Sequence, residues 1–388
     1  MLYFVLPEII DIIKIDNINI TYGNNNVIIS KSLSNYLNTL KTQIDDYKTR
    51  WDIYKKYTNT YEYIDTNIPY TKVSISKYKP LSRAFYKLIE LYQSLNILDN
   101  TTNPINSFHL AEGPGGFIEA IDYLRCNEKD IYYGMTLIDD KDNNVPGWNK
   151  GKQFLSKHNN IIIENGADNT GNLFNVENLW YCYHKYKNSM DLITGDGGFD
   201  FSLDFNKQEG LSMNLIFCQI CYAIAMQKKG GSFVLKIFDI FSEATIDMIY
   251  LLSCFYHEVY ITKPNTSRMA NSEKYIVCKN FKLYNTHKVV SKLSSLFSVI
   301  NDNKPIQRFL NIDIPYFYIN KIEDINAIFG QQQLENIIAT LYLLDNNKPD
   351  KIDVLKKNNL QKCIQWCNKY KLPYNNNIFF TSTFLPNL

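Results

Sequence analysis

Between residues 106 and 282 the chain switches repeatedly between two hydrophobic periods, and this alternation limits its fold more than any other feature. Short apolar runs at 108–111, 131–137, 160–164, 191–194, 232–238, 258–262 and 274–279 read as strands. Helical spacing fills most of the intervals, as at 117–125 and 211–228. Strands alternating with helices call for an α/β fold with a mostly parallel sheet covered on both faces. Only KPNTSRMANSE joins the last two strands. It is too short for a crossover helix, so these two are expected to be antiparallel.

The flanks read differently. Residues 1–105 form an N-terminal extension that opens with short β-like runs. It turns helical through SLSNYLNTLKTQIDDYKTRWDIYKKY and again through LSRAFYKLIELYQSLNIL. Residues 106–284 are the expected catalytic core, and 285–388 a mainly helical C-terminal extension. The 388 residues suit one large domain with extensions or two modest ones.

Composition removes several function classes. With 45% hydrophobic and 21% charged residues, the chain reads as globular with a real core. No run approaches the ~18 uninterrupted apolar residues of a membrane span. The start, MLYFVLPEIIDIIK, has no basic leader and carries Glu8 and Asp11, so it does not read as a signal peptide. Eight cysteines, mostly in apolar segments, suggest buried thiols of a reducing, intracellular compartment. Cys218 and Cys221 form a CxxC without a second pair or nearby histidines, and Cys363 and Cys367 lie one helical turn apart. A structural role fits both pairs better than zinc, and no metal is expected. The formal charge is +2, so any nucleic-acid contact must rest on local positive potential.

Two local patterns carry chemistry. FHLAEGPGGFIEAIDYL is a strand, a glycine-rich turn and an amphipathic helix. Gly113, Gly115 and Gly116 permit close backbone approach to a ligand, and the helix start offers free N–H groups. The dinucleotide fingerprint is not met, and Glu112 suits a ligand with a positive amino group better than a pyrophosphate. A purely structural tight turn is the alternative. The second pattern is Lys236, which interrupts GGSFVLKIF, a run that otherwise reads as a central buried strand. An ammonium there needs partners or loses its proton. Asp196 follows the strand DLIT, and Glu273 opens the last strand. If that strand is antiparallel, both stand with Lys236 on one edge. Lys87, in SRAFYKL, reads by spacing alone as a solvated helix lysine.

Taken in order, SRAFYKL, AEGPGGF, DLITGDGGFD, GGSFVLKIF and KPNTSRMANSEKYIVCKNF resemble the FtsJ-like ribose 2′-O-methyltransferases, over roughly residues 80–282. GDGGFD, GMTL, the CQ of LIFCQI and TSRMANSEKYIVCK are most similar to the cap-specific messenger RNA members. The resemblance implies a Rossmann-like, S-adenosylmethionine-dependent fold. It also implies a catalytic tetrad of Lys87, Asp196, Lys236 and Glu273, with Lys236 as the base for the ribose hydroxyl. The implied cofactor pocket comprises Glu112, Gly113, Pro114, Gly115, Gly116, Phe117 and Asp196. Asp139 or Asp140 is a candidate for its ribose, and Asp168 or Asn172 for its adenine.

The expected substrate is capped RNA, methylated at its first transcribed nucleotide. Asp204 and Asn206 are candidate cap contacts. Lys263, Ser267 and Arg268 are candidate phosphate contacts, as are Lys72, Lys77 and Lys79. Other capping or transcription proteins are possible partners, and no membrane is expected. Alternatives are an FtsJ-like enzyme for ribosomal or transfer RNA, and a non-catalytic RNA-binding subunit of a capping complex. The abundance of Asn, Ile, Lys and Tyr is a bias seen in AT-rich genomes, such as those of some protists and large DNA viruses.

Overall fold

Each of the seven apolar runs is a strand in a computed structural model of the chain. It describes residues 1–24, 27–98, 103–138, 147–198, 205–302, 304–346 and 348–375. The strands are β1 (Leu2–Val5), β2 (Ile18–Tyr22), β3 (Asn106–Leu110), β4 (Ile131–Met135), β5 (Ile161–Ile163), β6 (Met190–Gly195), β7 (Gln227–Ile237), β8 (Tyr256–Lys263), β9 (Lys274–Phe281) and β10 (Ile306–Leu310). The first six helices are α1 (Lys31–Gln43), α2 (Lys48–Thr58), α3 (Ala84–Ser94), α4 (Gly116–Arg125), α5 (Lys152–Leu155) and α6 (Val176–Tyr186). The chain continues through α7 (Gln208–Met226), α8 (Glu243–Phe255), α9 (His287–Ser295), α10 (Phe297–Asn301), α11 (Tyr316–Asn346) and α12 (Pro349–Lys369).

The main sheet has the order β1-β8-β9-β7-β6-β3-β4-β5. Strands β5, β4, β3, β6 and β7 run parallel. Strand β9 is antiparallel to both β7 and β8, as the short connection requires. The start of β9 therefore meets the ends of the parallel strands along one edge, where Ile237 pairs with Lys274.

Alternation along the central strands divides the core into two layers. Leu192 and Val234 face the layer that includes α3, α4 and α12, whereas Ile193 and Leu235 face the layer of α6, α7 and α8. Helix α7 is long and apolar enough to cross a bilayer, but it lies mostly buried in the second layer.

The boundary expected at residue 105 is not a border between separate bodies. Strand β1 pairs with β8 at the edge of the main sheet, and β2 pairs with β10 from the C-terminal extension. The C-terminal segment is thus not wholly helical. The Thr58 and Thr340 hydroxyls meet at 2.6 Å, and the Asn359 amide donates to Tyr57 O at 2.8 Å. The helix expected to begin at Leu81 starts at Ala84, because residues 81–83 turn to pack on the glycine loop.

Candidate active site

The strand ends bring the four expected catalytic residues together. Asp196 directly follows β6, Lys236 is the penultimate residue of β7, Glu273 directly precedes β9, and Lys87 projects from α3. They form two ion pairs. Lys236 Nζ lies 3.2 Å from Asp196 Oδ1 and donates to Asp196 O at 2.7 Å. Lys87 Nζ donates to Glu273 Oε2 at 2.8 Å. All four side chains are only 13–16% exposed, so each ammonium sits in a poorly solvated place but keeps a carboxylate partner. Burial alone would raise the Glu273 carboxyl, but the Lys87 and Lys236 ammoniums outweigh it and hold it down at about 2.

Neighbouring residues fix these groups. Ser267 Oγ donates to Glu273 Oε1 at 2.8 Å, and Lys263 Nζ donates to Glu273 O at 2.7 Å. Tyr275 OH donates to Asp196 Oδ1 at 3.0 Å. Burial, then the Asp196 charge, push the Tyr275 hydroxyl well above its ordinary value, so it remains a donor. Sequence reasoning missed Tyr275. Its signal was its register, directly across from Lys236 and two residues past Glu273. Gln219, the glutamine of the CQ dipeptide, accepts from Gly197 N at 3.1 Å and shapes the turn after Asp196. Gly198 packs closely on Lys236: a Cβ there would crowd Nζ at 3.3 Å.

The glycine turn adjoins this edge. Glu112 is 4% exposed, and its Oε1 accepts from Phe117 N at 2.6 Å and Ile118 N at 3.1 Å, capping the start of α4. Burial and the Asp196 charge raise its carboxyl to about 8, against the pull of those two N–H groups and Lys236. A cationic group beside Glu112 would be favoured, because it would stabilise the ionised carboxylate. Gly115 has φ +113°, a conformation reserved for glycine. Gly116 serves packing as well, since a Cβ there would meet Ser82 Oγ at 2.1 Å. The Phe117 side chain is fully buried and stacks toward the core, so only its N–H faces the turn.

Several expected ligand contacts are engaged within the protein. Lys263 is 5% exposed and its ammonium is committed to the carbonyls of Asn271 and Glu273. Ser267 is 1% exposed and committed to Glu273. Arg268 forms a two-pronged pair with Glu62, Nε to Oε2 at 3.0 Å and Nη2 to Oε1 at 2.8 Å. Asp168 is exposed, with Thr170 and Asn178 donating to Oδ1 and Asn175 to Oδ2. Asn172 accepts from Phe174 N at 3.0 Å. Asn206 is exposed at the start of the helical segment after the Asp196 turn. Lys72, Lys77 and Lys79 are exposed. Asp139, Asp140 and Asp204 lie outside the described residues.

Seven of the eight cysteines, including both spaced pairs, are buried free thiols, and Cys126 is exposed. Among the described residues, no cluster of His, Cys, Asp and Glu has the arrangement of a metal site. A cavity of about 650 Å³ lies between α11, α12 and the chain after β8, and none of the four catalytic candidates lines it.

The family model of FtsJ-like methyltransferases matches residues 80–281, just over half of the chain and the whole stretch that bears the site. The chain belongs to the FtsJ-like methyltransferase family. Among its relatives, the cap-specific mRNA (nucleoside-2′-O-)-methyltransferase 2 of Drosophila melanogaster is 28% identical, over 66% of this chain and 39% of that protein. The protein of the same name from Danio rerio is 31% identical, over 67% of this chain and 36% of its own length. This FtsJ-like chain therefore spans well under half the length of these curated relatives. A crystal structure of a ribosomal RNA methyltransferase from Plasmodium falciparum aligns with 52% of this chain and 97% of its own, at 22% identity and a TM-score of 0.36.

Proposed function

We propose that this chain methylates a ribose 2′-hydroxyl at the capped 5′ end of messenger RNA, with S-adenosylmethionine as donor and the first transcribed nucleotide as acceptor. The observation that carries the reading is the pair of ammonium–carboxylate couples, Lys236–Asp196 and Lys87–Glu273, on the sheet edge beside the glycine turn. The names of the relatives support the cap as the substrate class.

A ribose hydroxyl is a poor nucleophile and needs a base within hydrogen-bond reach. Lys236 supplies that base when its amine is neutral, and Asp196 holds it through two contacts. Lys87 and Glu273 fix the other side of the site and orient the hydroxyl, so less ordering remains for the reacting complex. Glu112, Gly113, Pro114, Gly115 and Gly116 fit the cofactor: a bare turn admits its backbone, and the buried carboxyl suits its amino group. S-adenosylmethionine held there would supply an electrophilic methyl on its sulfonium, with a neutral thioether as leaving group when the ribose oxygen takes the methyl. Lys236 takes the hydroxyl proton and later returns it to solvent.

The test uses the purified chain with labelled cofactor and matched RNAs carrying a cap or a 5′-triphosphate. Methyl transfer should favour the capped RNA strongly, and nuclease digestion should locate the label on the first transcribed nucleotide. Equal activity on both RNAs, or activity confined to ribosomal or transfer RNA, would overturn the cap reading. Label on the second nucleotide would overturn the choice of acceptor.

A further inference from the structure

We propose that Lys263 is a positioning residue: its buried ammonium closes the neck of the 264–273 loop and holds the backbone of Glu273 in place for methyl transfer. The proposal rests on the assignment of Glu273 to the reaction.

The geometry is specific. Lys263 ends β8 and Lys274 begins β9, so the intervening loop leaves and re-enters the sheet at one place. Lys263 Nζ reaches back across this neck to Asn271 O and Glu273 O, each at 2.7 Å. Charge-assisted bonds to two carbonyls fix the backbone from which the Glu273 carboxylate springs. The carboxylate itself is held by Lys87 and Ser267, and the preceding Ser272 O accepts from Lys274 Nζ at 2.9 Å. Lys263 thus supplies the link between the loop's two ends. Its ammonium donates to two carbonyls, an arrangement a hydrophobic residue of equal length cannot reproduce.

The charged surroundings give the brace a pH signature. Glu273 and Lys274 face Lys263 from β9 and the residue before it, Lys87 from α3, and Asp239 from the segment after β7. Glu335, Lys351 and Lys362 line the cavity that Lys263 also borders. Burial, then the Lys274 charge, lower the ammonium to about 7. The brace is therefore mostly charged at pH 6 and mostly neutral by pH 8.5, when its bonds to the two carbonyls lose their charge assistance.

Single-turnover rates, cofactor affinity and RNA affinity of wild type, Lys263→Met and Lys263→Arg should be compared from pH 6 to 9. Methionine should lower the chemical rate about ten- to a hundred-fold at pH 6, with both affinities nearly unchanged. The ratio of wild-type to methionine rate should shrink as pH rises through 7, which cancels any titration of Lys236 common to both. Arginine, which stays protonated, should retain activity and gain on wild type above pH 7. A methionine variant within two-fold of wild type, or a ratio that is constant with pH, would overturn the proposal. If the methionine variant does not fold, the arginine-to-wild-type ratio decides alone, and a flat ratio refutes the brace.

A second readout does not depend on activity. The folded ammonium near 7 and an unfolded value of ~10.4 mean that the unfolded chain binds the extra proton between them. Wild-type stability should therefore gain from Lys263 as pH rises from 7 to 10, a contribution the methionine variant lacks. Identical melting profiles against pH would refute the buried charge and with it the brace. If wild type methylates no capped RNA, the functional reading fails, and this stability comparison still tests the brace by itself.

Discussion

Replacing Lys236 with methionine separates chemistry from folding, because the substitution keeps the apolar stem and removes only the ammonium. Lys236 pairs in register with Tyr275 of β9, and its neighbours Leu235 and Ile237 are fully or almost fully buried. Methionine has nearly the same length, so the strand should keep its packing, while removing one partner of this poorly solvated ion pair should cost up to about 3–5 kcal/mol. The lost contacts are the 3.2 Å pair to Asp196 Oδ1 and the 2.7 Å bond to Asp196 O. Asp196 keeps its bond from Tyr275, so its carboxylate is not left without a partner. Methyl transfer should behave very differently. Loss of a general base lowers rates by roughly 10²–10⁴, which at ~1.4 kcal/mol per decade is about 3–5 kcal/mol of barrier. The assay is single-turnover transfer of labelled methyl at saturating cofactor, beside calorimetry for cofactor binding and a thermal melt. The expected pattern is a folded protein with a lowered melting temperature, unchanged cofactor affinity and a collapse in rate. Lys236→Arg should fail too, since a guanidinium cannot accept the proton. Folded Lys236→Met protein that turns over within three-fold of the parent would refute the role given to Lys236.

Two further perturbations test the scaffold around the site. Glu62 is fully buried between Arg83 and Arg268, and Glu62→Gln would leave two guanidiniums facing a neutral amide. A loss of about 2–4 kcal/mol should appear in denaturant unfolding, discounted for the partial exposure of Arg268; an unchanged midpoint would contradict the pairing. Arg268 hydrogen bonding and the Arg83 charge overcome burial to hold Glu62 at about 2, as Lys87 and Lys236 do for Glu273. These carboxylates give stability that is complete above the ordinary carboxylate range and lost as pH falls through it toward 2. Acid titration of the melting temperature should show that fall, with a shallower slope in Glu62→Gln. Gly171→Ala tests the turn after β5: its Cβ would lie 1.9 Å from Thr136 O at φ +65°. It should cost about 2–4 kcal/mol, and a melting temperature within a degree of the parent would show that the turn is not packed as described.

The sequence alone determined the parallel core, the antiparallel final pair, the glycine turn and the placing of Asp196, Lys236 and Glu273 on one edge, whereas Lys87, a solvated helix lysine by spacing, joined them only through the family resemblance. All of these are local: a strand period, a connection too short for a crossover, a turn that needs glycine, a lysine in an apolar run. Each was legible because its physical cause lies within a dozen residues. Tertiary structure decided which of the remaining charges were free. Lys263, Ser267 and Arg268 read as a basic loop ready for phosphate, yet the first two brace Glu273 and the third is held by Glu62, 206 residues earlier in the chain. Asp168 read as a free acid, yet it is exposed with its carboxylate hydrogen-bonded by Thr170, Asn175 and Asn178. The pairing of β1 with β8 and of β2 with β10 likewise joined flanks that looked separate. A side chain's period along the chain fixes which face it takes, but the partner that neutralises its charge comes from wherever the fold brings one, and no local pattern encodes that distance.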